Sequence, residues 1–127
     1  MYLNGNNLSI YTDDGKLLGS FGVTSGNSNS SPIQPGLYNV DTANMSFVGY
    51  LNPRFWARQM NGDWGRLRVP LNPQFSTKRN GFYMHGGRFP GSAGCVDVGS
   101  GNNEQTIFDI LQNAQNGGRS TTLEVNQ

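Results

Sequence analysis

The chain has 127 residues, which suits one domain able to bury roughly two-thirds of its unfolded surface and is short for two. Apolar residues make up 35%, charged residues only 13%, and there are 18 glycines, a mix that points to a turn-rich, mainly β protein rather than a charged helical one. A net charge of +1 without basic runs or acidic tails excludes the usual footprint of a nucleic-acid or membrane-surface binder, and no stretch nears the ~18 apolar residues of a membrane span.

We read residues 1–127 as a single domain. The first residues, Met1 to Gly5, have neither a basic nor an apolar leader segment, so an extracytoplasmic target would have to be reached by another route. Leu8–Tyr11 alternates apolar and polar side chains, Asp13-Asp14-Gly15 supplies a turn, and 16–23 resumes strand character, which together predict a hairpin. A polar loop over 25–31 follows. Pro32 and Pro35-Gly36 punctuate the start of a strand over 37–40, and 45–51 reads as another, ended by Asn52-Pro53. Phe55 and Trp56 could open a short helix. Residues 64–69 place Leu67 and Val69 on one face and are predicted to stop at Pro70. Residues 82–85 read as a short strand, and a glycine-dense segment runs from Gly86 to Val98. After the N-cap candidates Asn102 and Asn103 comes the one substantial helix, 103–116, with Ile107, Ile110, Leu111 and Ala114 on one stripe; Asn116-Gly117-Gly118 ends it. A last strand covers 121–125. The expected architecture is mainly β, sandwich- or barrel-like, with one helix packed on the sheet.

The chain contains one histidine and one cysteine, His85 and Cys95, at the two ends of the glycine-rich loop. A free thiol has a pKa of about 8.5 and needs a base at neutral pH, and imidazole, near 6.5, is the usual one. Gly86-Gly87 and Pro90-Gly91 let the loop fold back so that the two could meet. Gly94 leaves room for a substrate carbonyl, and the N–H groups of Gly94 and Cys95 could converge on its oxyanion. Taken singly, a lone cysteine is often a small buried hydrophobe and a lone histidine often structural. Their coincidence in one segment favours catalysis. A single His and a single Cys are too few for a catalytic zinc site, which takes three protein ligands, and recruiting Asp97 would require an unusual spacing, so no metal is expected.

This segment resembles the signature of L,D-transpeptidases, in which His-Gly on a strand is followed by Ser-x-Gly-Cys; here these are His85-Gly86 and Ser92-Ala93-Gly94-Cys95. The tighter form, with Gly87, Pro90-Gly91 and Asp97, is similar to the L,D-transpeptidase-like effectors delivered by type VI secretion. Val23 to Gly26 and Ser31 to Tyr38 look like loose versions of the family's earlier motifs. The resemblance implies that Cys95 attacks the carbonyl between meso-diaminopimelate and D-Ala in a peptidoglycan tetrapeptide stem, with His85 as the base and a backbone carbonyl orienting its other ring nitrogen. Gly94, Ser92 and Gly86 would support the loop and oxyanion, although Ser92 could equally be a turn-forming serine. Tyr83 would line the cleft or pack in the core. Ordinary members carry Arg where this chain has Asp97, which leaves Arg88 or another arginine to hold a substrate carboxylate.

The resemblance further implies an L,D-carboxypeptidase or transpeptidase that needs no cofactor. It also implies use as an antibacterial toxin in the periplasm of a target cell, with a cognate immunity protein in the producer. A monomer is expected. The competing reading is an inactive cell-wall-binding module, in which Trp56 and Trp64 stack on sugars rather than pack in the core. A thiol probe at pH 6 separates the two, since a thiol activated by a depressed pKa would label strongly.

Overall fold

The computed structural model describes residues 1–25, 32–47, 66–79, 81–86, 95–99 and 102–126. Among these, nine strands form a curled, half-barrel sheet, and one α-helix lies late in the chain. The strands are β1 (Tyr2–Asn4), β2 (Asn7–Tyr11), β3 (Leu17–Gly22), β4 (Gly36–Val40), β5 (Ser46–Phe47), β6 (Leu67–Pro73), β7 (Tyr83–His85), β8 (Val96–Asp97) and β9 (Thr121–Asn126). The helix α1 is Asn102–Asn116. The sheet runs β3-β2-β1-β9-β4-β6-β7-β8, with β5 on the flank of β6. A bridge between Thr24 and Asp97 brings the chain just after β3 back against β8, so the two ends of the order approach each other.

Alternation builds the core. Leu8 and Ile10 of β2, Leu67, Val69 and Leu71 of β6, and Leu123 and Val125 of β9 all turn inward and are buried. Ile107 and Leu111 of α1 complete the core from the helix side, as their spacing predicts, while Ile110 packs partly against it. Gly118, at φ +70°, turns the chain out of the helix.

Three elements differ from expectation. The hairpin gains a neighbour, because β1 lies between β2 and β9 and pairs with β9 in parallel, Tyr2 opposite Glu124. Strand β6 does not stop at Pro70 but continues to Pro73. Its even-numbered residues turn their backbone groups away from β7. Pro70 falls where the partner on that side changes from β5, opposite Arg68, to β4, opposite Leu71. The missing N–H is therefore not needed, and the Pro70 carbonyl still accepts the Asp41 N–H at 2.9 Å. The third is β8, which begins immediately after Cys95 inside a segment read as loop. Of the predicted strand over 45–51, Ser46–Phe47 is present; residues 48–51 and the helix start at Phe55 and Trp56 lie outside the described residues.

Candidate functional site

Register places the candidate residues on one patch. Across β6, β7 and β8, Arg68 lies opposite His85, and His85 opposite Asp97. One step back, Pro70 lies opposite Tyr83, and Met84 opposite Val96. Cys95, preceding Val96, is therefore level with Tyr83. Directly paired residues present their side chains to the same face of a sheet, and successive residues to opposite faces. Met84 and Val96 belong to the apolar core. By register Tyr83, His85, Cys95, Asp97 and Arg68 belong to the other face, with Cys95, the residue just before β8, at a position diagonal to His85 on the neighbouring parallel strand β7.

His85 is 3% exposed and Cys95 5%, so both work in a largely dry setting. The ring Nδ1 of His85 stands 2.6 Å from the Gly86 carbonyl oxygen. A carbonyl only accepts, so Nδ1 carries the proton in this contact, and in that tautomer the lone pair is on Nε2. This is the backbone carbonyl expected beside the ring. The Cys95 thiol lies 3.7 Å from the Gly81 carbonyl. Burial pushes its pKa up, and the Asp97 charge adds to that; the Tyr83 backbone N–H and the charges of Arg68 and Arg79 pull the other way without prevailing. The setting thus favours a raised rather than the expected depressed thiol pKa, so chemistry at this sulfur would need a base to take its proton.

Two features of the patch were not anticipated. Arg68 sits beside His85, with its guanidinium 4.5 Å from the centre of the Tyr83 ring. Its signal was available: Leu67 and Val69 face the core, so the residue between them must face away. Ser25 is the other. Its hydroxyl donates to the Cys95 carbonyl at 2.5 Å and accepts the Ile33 N–H at 2.7 Å, tying residues 25 and 33 to the cysteine backbone. No periodicity marks such a residue.

Gly86, which follows His85 in the chain, is buried. Its φ is not in the left-handed region; what it supplies is room, since a Cβ there would fall within the carboxylate of Glu104 and 2.9 Å from the Gly99 carbonyl. Asp97 is 3% exposed. Its carboxylate accepts the Gly99 N–H at 2.9 Å, and its backbone exchanges two hydrogen bonds with Thr24. Tyr83 is half-buried on the site face rather than in the core. Arg88, Ser92 and Gly94, like Trp56 and Trp64, lie outside the described residues. Among the described residues no cluster of three or more His, Cys, Asp or Glu side chains could hold a metal, and no helix is long and apolar enough to cross a membrane.

A thiol and an oriented imidazole sharing one dry sheet face, with arginines nearby, are the equipment of a cysteine-dependent acyl-transfer protein. The family profile of the L,D-transpeptidase catalytic domain (YkuD) matches residues 2–121, nearly the whole chain. The chain belongs to that family, whose members are cysteine enzymes acting on peptidoglycan. No curated protein matches it.

Proposed function

We propose that the protein cleaves peptidoglycan tetrapeptide stems between meso-diaminopimelate and D-Ala, as an L,D-carboxypeptidase or as a transpeptidase that exchanges D-Ala for another amine. The observation that carries the reading is the orientation of His85. With Nδ1 donating to the Gly86 carbonyl, the lone pair of this tautomer is on Nε2, the nitrogen that would take the proton of a thiol. Cys95 Sγ attacks the stem carbonyl as Nε2 takes its proton. The tetrahedral intermediate collapses with return of that proton to the amine of D-Ala, which leaves, and a thioester remains. Water, deprotonated by the same nitrogen, then releases the shortened stem and restores the thiol; an amine in place of water gives transfer. Arg68 and Arg79 lend positive potential for the stem carboxylates.

The tight form of the motif, with Asp97 two residues after the cysteine, supports a role as a secreted antibacterial toxin active in a target periplasm, guarded in the producer by an immunity protein. We take the domain to span the whole chain and to act as a monomer. The test is release of D-Ala from purified tetrapeptide muropeptides by wild type and by Cys95→Ala. Loss of release in the variant is expected. Equal release by both would refute the assignment.

A further inference from the structure

Glu104 is 0% exposed although it lies in the first turn of α1, where a carboxylate would ordinarily reach solvent. It occupies the inward stripe with Ile107 and Leu111. One carboxylate oxygen accepts two backbone N–H groups, from Arg66 at 2.6 Å and from Leu67 at 2.8 Å. The other faces the Arg66 side chain, Nε at 3.3 Å, and that guanidinium also lies 4.7 Å from the centre of the Phe47 ring. A buried charge persists only when held by several donors, and these three hold it.

What this carboxylate touches next is the candidate site. It packs directly against Cα of Gly86, in the space a Cβ would need. The Leu67 carbonyl, on the residue whose N–H Glu104 accepts, takes the Gly86 N–H at 3.0 Å. Gly86 is therefore gripped from its N–H and from its Cα by one unit, and its carbonyl is the group on His85 Nδ1. We infer that Glu104 is a positioning residue for His85: it fixes the Gly86 peptide and so keeps the histidine in the tautomer that carries its proton on Nδ1 and its lone pair on Nε2. Core filling alone would call for an apolar residue here, since a buried charge is costly to retain.

The inference rests on the proposed acyl-transfer reading, but its test can fail separately. The ring nitrogens of His85 are followed by ¹⁵N NMR at neutral pH, alongside kcat and KM for D-Ala release, in wild type, Glu104→Gln and an Ile107→Val control chosen to weaken the same helix. Wild type is expected to show protonated Nδ1 and bare Nε2. In Glu104→Gln the two tautomers should mix, with kcat reduced roughly tenfold or more and KM changed by less than about twofold. The control should lose thermal stability and keep both tautomer and kcat. Should Glu104→Gln fail to fold, Glu104→Asp, which keeps the charge but withdraws it from Gly86, is read against the same outcomes. A wild-type ring protonated on Nε2, or a folded Glu104 variant with the wild-type tautomer and kcat, overturns the inference. Wild type inactive on muropeptides, with the expected tautomer in wild type and mixed tautomers in Glu104→Gln, would refute the function and support the positioning role.

Discussion

Replacing Ser25 by alanine removes one oxygen that serves two segments. Its hydroxyl is both donor to the Cys95 carbonyl and acceptor for the N–H of Ile33, a residue with no exposed surface. Alanine removes both hydrogen bonds from a part-buried place. At about 1 to 1.5 kcal/mol for each lost bond, the variant should lose about 2 to 3 kcal/mol of stability. In a chain of this size that corresponds to a fall in Tm of roughly 6–12 °C, read by calorimetry or circular dichroism. Activity should suffer more than stability alone explains. The lost bond anchors the backbone that carries the sulfur, and a shift of about 1 Å in a reacting atom can cost up to ~100-fold in rate. We expect kcat for D-Ala release to fall roughly 10- to 100-fold at temperatures where the variant is fully folded, and Ser25→Thr, which keeps a hydroxyl, to recover most of it. A Ser25→Ala protein melting within about 2 °C of wild type, with kcat unchanged, would show that the hydroxyl is not the tie described.

Four further outcomes follow from the molecule. Because burial raises the Cys95 pKa, alkylation at pH 6 should be slower than for a free thiol and should climb only at alkaline pH; fast labelling at pH 6 would contradict the assigned cause. The same shift makes stability depend on pH: the folded thiol holds its proton longer than the unfolded one, so stability is intact below about pH 8.5 and declines above it, a decline that Cys95→Ala should lessen in alkaline denaturation curves. Tyr38, fully buried with its hydroxyl donating to the Gln34 carbonyl at 2.7 Å, has its pKa pushed up to about 12, so one of the five tyrosines should stay un-ionised in an ultraviolet titration at pH 11. Leu111→Ala, emptying a fully buried helix position, should cost about 2–5 kcal/mol in denaturant unfolding; a loss below about 1 kcal/mol would mean that α1 is not packed as described.

The parts of this fold that were legible in the sequence are those whose signal is local. The hairpin around Asp13-Asp14-Gly15 and the stripe of α1 need only their own residues to be recognised. So does the His85–Gly86 to Cys95 segment, whose motif is contiguous. What escaped depends on distant partners. Strand β1 is three residues long and is made a strand by β2 and β9, the latter more than a hundred residues away. Strand β8 is two residues and exists because Met84 and His85 lie alongside. Pro70 looked like a stop because nothing nearby revealed that its amide side falls at a change of partner. Glu104 carries no local signal of its place, since only the fold brings two backbone amides and Gly86 to it. The roles of Arg68 and Ser25 likewise emerge from cross-strand neighbours, even where alternation had fixed which way Arg68 must point.

The central claim is that Cys95 carries the acyl group. Intact-mass spectrometry of the protein after brief incubation with a tetrapeptide muropeptide tests it. The account predicts an adduct equal to the muropeptide less D-Ala, mapped to Cys95 and missing in Cys95→Ala. D-Ala release with no such adduct, or an adduct on another residue, would contradict it.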